Sequence, residues 1–166
     1  EPGFEFPMEP ERFYPQNSVA SHVLGFVNRD GDGVLGMEAV LNERLTSEEG
    51  RANPATLSID LRVQAALEDE LGRSMRLLQA VGAAGVVMDV RTGELIALSS
   101  MPEYNPNDPK PAATDKEGTA IVFNKVTNQV YELGSTFKPI TIASAIDAGV
   151  ITDMSRRYDA TKPLRI

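Results

Sequence analysis

The residues of this chain best suited to chemistry are Ser135 and Lys138, in the stretch YELGSTFKPITIASAIDAG (131–149). A serine hydroxyl is a weak nucleophile until a base takes its proton. A lysine amine can be that base once burial or nearby positive charge lowers its pKa. Three residues apart on a helix, the two share a face, with Cβ atoms about 5–6 Å apart. Pro139 has no N–H and fits only near a helix start. It therefore sets Ser135 at the N-terminus of a helix predicted over 136–148, with Gly149 as its stop. Unpaired N–H groups and the helix dipole favour developing negative charge there, and the backbone N–H of Ser135 is a candidate half of an oxyanion hole. Gly134 lets the chain enter the helix tightly, and Ile140, Ile142 and Ala143 offer apolar surroundings. The tetrapeptide alone does not decide the matter, because a helix-capping serine followed by a solvated lysine reads the same way.

Two other groups of residues invite a chemical reading. NRDGDGVLGMEA has the look of a calcium loop, with Asn28, Asp30 and Asp32 alternating ahead of Gly33. Such a loop needs a bidentate Glu at its twelfth position and a helix on each side. Ala39 stands at that position, Glu38 comes one place early, and the first ligand is Asn. A turn built of residues that tolerate positive φ is the simpler reading. A non-catalytic module binding calcium through Asn28 to Ala39 is the alternative function. His22 is the only histidine. It lies in an apolar run with Val23 and Leu24, far in sequence from Ser135, and reads as structural rather than as a triad member.

Composition narrows the rest. The 166 residues allow one domain or two small ones. A net charge of −8 disfavours nucleic acid, whose phosphates need a basic surface. The absence of cysteine excludes a disulfide framework and thiolate metal sites, and suits an oxidising compartment. No cofactor or metal is expected. No stretch approaches the roughly 20 apolar residues of a membrane span, and no signal peptide is present. The chain opens EPGFEFPMEPERFYPQ without an initiator Met and reads as an excised or processed piece.

The elements that must carry these residues follow from pattern. Residues 1–20, rich in Pro and polar groups, read as an extended arm. Val23, Leu24, Phe26 and Val27 predict a short strand, NRDGDG a turn, and Met37, Val40, Leu41 and Leu45 a helix. TSEEGRANPAT reads as a loop and a domain boundary. The clearest helix is LSIDLRVQAALEDELGRSMRLLQA, capped by Thr56 or Ser58, with Asp60 at its positive end and Val63, Leu67, Leu71, Met75 and Leu78 on one face. Gly72 weakens its middle by roughly 1 kcal/mol. GVVMDVRTGELIALSSMP predicts two strands around a loop at Arg91, Thr92, Gly93 and Glu94. A long Pro/Asn/Asp loop and a short apolar piece (Ile121, Val122, Phe123) lead to Asn124.

Taken together, these blocks resemble class B penicillin-binding proteins. YELGSTFKP resembles their acyl-serine motif, whose S-x-x-K opens a helix. HVLGFVNRDGDGVLGMEAVLNERL is similar to their pedestal region, and closest to the septal, division-type branch. LSIDLRVQAALEDEL resembles the helix that opens their transpeptidase domain, and GVVMDVRTGELIALSSMPEYNPN the hairpin that follows. Asn124 fits the Asn-Arg/Lys that precedes the motif. The resemblance implies an α+β chain: an incomplete transpeptidase domain of the serine β-lactamase-like type over 55–166, with a partial pedestal over 1–54. It implies Ser135 as acylated nucleophile and Lys138 as general base of a peptidoglycan D,D-transpeptidase. Stem peptides would be substrates, β-lactams would acylate the same serine, and division-machinery proteins would be partners. It places the parent protein at the periplasmic face of the bacterial inner membrane, held by an N-terminal anchor missing from this chain. Leu133 stands where the family usually has Pro, and the loop between Arg44 and Leu57 is shorter than in such pedestals. The family's further motifs, S-x-N and K-T-G, do not occur after Lys138. The chain is therefore expected to be inactive alone, and the open edge of its sheet is a surface on which two copies could pair.

Overall fold

The computed structural model describes residue 3, residues 11–157 and residue 161. Residues 1, 2 and 4–10 of the expected N-terminal arm lie outside the described residues. The chain divides into two compact units, residues 1–129 and 130–166.

In the first unit the expected strand at 23–27 is replaced by one helical turn, α1 (Ser21–Leu24), closed by Gly25 at φ 78°. Only Val27 keeps a β-type pairing, a single antiparallel bridge to Gly33 that closes the turn between them. Close backbone packing is what displaced the strand. A Cβ on Gly25 would overlap the Leu35 carbonyl, and one on Gly36 would lie 2.6 Å from the Gly25 nitrogen. The NRDGDG turn is held by Asn28, whose Oδ1 accepts from the N–H groups of Asp30 and Asp32, both at 2.9 Å. The oxygen that a calcium ion would need is thus engaged by backbone.

The helix expected over 37–45 is broken at Leu41 into α2 (Gly36–Val40) and α3 (Asn42–Thr46). The loop expected after it contains a further turn, α4 (Glu48–Ala52), because Ser47 caps it by accepting from Gly50 N–H. The long helix is α5 (Leu61–Leu78), and its cap is Asp60 rather than Thr56 or Ser58. Asp60 accepts from the Arg62 guanidinium and from Arg62 N–H, and these hydrogen bonds hold its carboxyl below the usual range. Ser58 instead donates to the Leu95 carbonyl, fastening the helix entry to the sheet.

That sheet is the expected hairpin, β1 (Ala83–Met88) antiparallel to β2 (Leu95–Met101), with a bulge between Val87 and Met88. Asp89 Oδ1 accepts from Arg91 and Thr92 N–H and so shapes the loop. α5 packs on β2, and α6 (Lys125–Asn128) packs on both strands. Five consecutive residues of β2, Ala97 to Met101, are buried, whereas Val86, Val87 and Met88 of β1 are exposed. A small aromatic core of Tyr14, Phe26 and Tyr104, edged by Leu24, Ile121 and Val122, fixes the N-terminal segment to the loop after β2. The second unit is one short 3₁₀ turn, Gly134–Phe137, running directly into α7 (Lys138–Asp147).

Candidate active site

Ser135 and Lys138 sit where the two helical windings meet. Gly134 takes φ 52°, a left-handed conformation that favours glycine, and turns the chain into the helix. Ser135 is in the 3₁₀ turn, and its carbonyl accepts from Lys138 N–H. Lys138 is the first residue of α7, with Pro139 in the position where no N–H is needed. At the far end Gly149, at φ 69°, donates to the Ile146 carbonyl and stops the helix as expected.

The serine is not used as a cap: neither the 3₁₀ turn nor α7 has a side-chain cap. Among the described residues its Oγ and its backbone N–H have no partner, and no hydrogen bond joins Ser135 to Lys138. Both residues are exposed. The apolar shell expected around the lysine is not closed either, since Phe137 (51%), Ile140 (52%) and Ile142 (41%) are themselves exposed. A hydroxyl, an amine and an N–H donor without a partner among the described residues are therefore carried within one turn and exposed to water.

The first unit contains polar groups that pattern reading missed. The residues of α5 most deeply buried are Gln64 and Glu68, not the apolar stripe, and Leu78 is 73% exposed. Gln64 treats Leu98 of β2 as a strand would: its Nε2 donates to the Leu98 carbonyl (2.8 Å) and its Oε1 accepts from Leu98 N–H (2.9 Å). The same Nε2 reaches Glu68 Oε1 at 2.7 Å, and that oxygen also accepts from Ala20 N–H. Burial pushes the Glu68 carboxyl up. Lys125 pairs with Asp115 at 3.0 Å beneath Gly82, and Asn124 caps α6 through the N–H groups of Val126 and Thr127. The only available signal was the i, i+4 spacing of Gln64 and Glu68, which pattern assigns to a solvated face. A cleft of about 550 Å³ also opens in this unit, between Leu24, Met37, Glu38, Leu41 and Leu45; neither Ser135 nor Lys138 lines it. Among the described residues no group of three or more His, Cys, Asp or Glu is placed to hold a metal.

Comparison with known proteins gives this arrangement its context. Residues 83–163 match the penicillin-binding protein transpeptidase domain. Over 99% of its length the chain is 40% identical to a probable peptidoglycan D,D-transpeptidase FtsI of Caulobacter vibrioides. It is 33% identical over 98% of its length to the probable D,D-transpeptidase PenA of Neisseria gonorrhoeae. It spans 27% and 31% of those two relatives. Penicillin binding protein 3 of Mycobacterium tuberculosis superposes on 84% of the chain with a TM-score of 0.68 at 24% identity, the chain covering 32% of that structure. A peptidoglycan synthetase of Bifidobacterium adolescentis superposes on 92% with a TM-score of 0.67 at 21% identity, again over 32% of that structure. The fold is thus that of part of a penicillin-binding transpeptidase, an incomplete α+β domain. The chain belongs to the penicillin-binding protein family, and its curated relatives carry the names FtsI and PenA.

Proposed function

We propose that this chain carries the nucleophile segment of a peptidoglycan D,D-transpeptidase, with Ser135 as the acylated serine and Lys138 as its general base. The observation that carries the reading is the S-x-x-K at the head of α7, its serine hydroxyl and N–H without a partner among the described residues, inside the matched span 83–163. Lys138 takes the hydroxyl proton as Ser135 Oγ attacks the penultimate D-Ala carbonyl of a stem peptide. The C–N bond breaks, and the departing terminal D-Ala leaves with a proton returned from Lys138. An amine of a neighbouring strand then attacks the ester and restores the serine. A β-lactam enters by the same attack, and its ring amide opens to leave the serine acylated. The Ser135 N–H donates to the oxyanion in both steps.

On this reading residues 1–54 belong to the pedestal and 55–166 to the start of the transpeptidase domain. The parent protein serves division-type wall synthesis at the periplasmic face of the inner membrane, alongside division-machinery proteins. Among the described residues no helix is long and apolar enough to cross a membrane.

Fluorescent penicillin tests the assignment. In the parent protein the label should map to Ser135 and vanish in Ser135→Ala; label that survives the substitution would sink it. The 166-residue chain alone should take up little label, because Ser135 and Lys138 are exposed. Stable labelling of Ser135 in that chain would show the site to be self-sufficient.

A further inference from the structure

Beside its aromatic core, the N-terminal segment is fastened to the rest of its unit by a set of polar contacts, and the sole histidine lies in the middle of them. Ala20 N–H donates to Glu68, Tyr104 OH donates to the Ser21 carbonyl (2.8 Å), and Asn107 bonds both the N–H and the carbonyl of Tyr14. His22 is buried, with Tyr104 edge-on at 5.0 Å. Its Nε2 lies 2.8 Å from the Ile121 carbonyl, and Asn124 Nδ2 reaches the His22 carbonyl at 3.4 Å. A carbonyl can only accept, so Nε2 carries the proton. Nδ1 is then a lone pair facing the Ser21 hydroxyl at 3.5 Å.

We propose that His22 is a proton-sensitive latch: neutral, it holds residues 14–26 against β2, α5 and the 102–124 loop; protonated, it releases them. A second ring proton would add a charge that this pocket cannot solvate. The charged groups that act on the ring are Glu103 on the loop and Lys125 on α6, itself paired with Asp115; Tyr104 stands edge-on to it, and Glu68 on α5 holds Ala20 N–H two residues before it. Lys125 opposes the imidazolium and Glu103 favours it. Desolvation outweighs both the attraction of Glu103 and the bond to Ile121, and it lowers the His22 pKa. A histidine depressed on folding leaves the unfolded segment holding more protons, so the latch is fully closed above the ordinary value of about 6.5 and weakens as pH falls below it. Glu68, pushed up by burial, works in the opposite sense: what its burial costs rises with pH from the ordinary carboxylate value. The proposal concerns residues 14–26 alone and does not depend on the catalytic reading.

The imidazole signal of the 166-residue chain needs no assignment, because there is one histidine. It should titrate below about 6.5, and the amides of Val23, Leu24 and Gly25 should lose hydrogen-exchange protection with the same midpoint while those of α5 keep theirs. Intrinsic exchange rates are corrected for pH in this comparison. His22→Gln, which offers a neutral donor to Ile121, should hold its protection across the range, and Glu68→Gln should leave the histidine-linked loss in place. A midpoint at or above the ordinary value, or protection at Val23 and Leu24 that ignores pH, overturns the latch. So does a Gln variant whose amides open in step with the parent chain. Should His22→Gln not fold, the imidazole and amide titrations of the unaltered chain decide alone.

Discussion

The two units of this molecule are stabilised in opposite ways. Residues 1–129 are tied by bonds that join distant parts of the chain: Gln64 to Leu98, Ala20 to Glu68, Asn107 to Tyr14, Asp115 to Lys125. In residues 130–157 the described hydrogen bonds are local, as in Thr141 to Phe137, Ser144 to Ile140 and Val150 to Ala145. The first unit is a scaffold tied by buried polar bonds across the fold, although the buried Tyr14 hydroxyl and Ser99 Oγ have no partner among the described residues. The second is a short helix with apolar residues facing outward and a chemically capable pair at its head. Its serine and lysine are held within one helical turn while both remain exposed.

The largest effect should come from breaking the pair itself. In the parent protein Ser135→Ala should abolish penicillin acylation, and Lys138→Ala should slow it by about a thousandfold or more, since removing a nucleophile's base loses most of its activation. Circular dichroism of both variants should match the unaltered protein, because both side chains are exposed. A Lys138→Ala protein that acylates at the original rate would mean another base serves Ser135.

Next comes the scaffold. Gln64→Leu strands the Leu98 N–H and carbonyl and removes a donor from Glu68, at about 2–4 kcal/mol by urea unfolding. A loss below about 1 kcal/mol would show that the scaffold does not depend on this amide. Asn124→Ala removes the cap of α6 and should cost about 1 kcal/mol. Gly134→Ala should cost about the same locally, because of its positive φ, with no clash, since nothing lies within 4 Å of a Cβ built there. Its effect should appear in the acylation rate of the parent protein rather than in the unfolding of residues 1–129. Smallest of all should be calcium: with Asn28 Oδ1 engaged by two N–H groups, millimolar calcium should shift neither the circular dichroism nor the melting of the chain. A saturable heat in calorimetry would reopen the metal reading.

Much of this was legible in the sequence where local chemistry decides. Pro139 and Gly149 bound α7, and the strand-forming apolar runs on either side of Arg91 to Glu94 gave the hairpin. The placement of Ser135 and Lys138 at the head of a helix could be read because their order along it is a local property. What failed did so where distant backbone intervened. Val23 to Val27 looked like a strand, but Gly25 and Gly36 bring two backbone segments into contact that no single stretch encodes. Thr56 and Ser58 looked like caps, but Ser58 is taken by Leu95 across the fold. The stripe Val63, Leu67, Leu71 and Met75 is only partly buried, while Gln64 and Glu68 beside it are sealed by β2 and residue 20. Hydropathy assigns polar residues to water, and it cannot see a carbonyl arriving from thirty-four residues away.

That contact between Gln64 and Leu98 has a consequence for assembly. A side-chain amide matched to both the N–H and the carbonyl of one strand residue acts as a gauge for alignment. If β2 slid by a single position against α5, the amide would meet a residue whose backbone groups face the other way, and both ends of the gauge would go unfilled in a dry interior. A misaligned hairpin is thereby penalised before the remainder of a larger domain has to build on it. Proofreading of this sort rests on one glutamine, at the point where an error would propagate furthest.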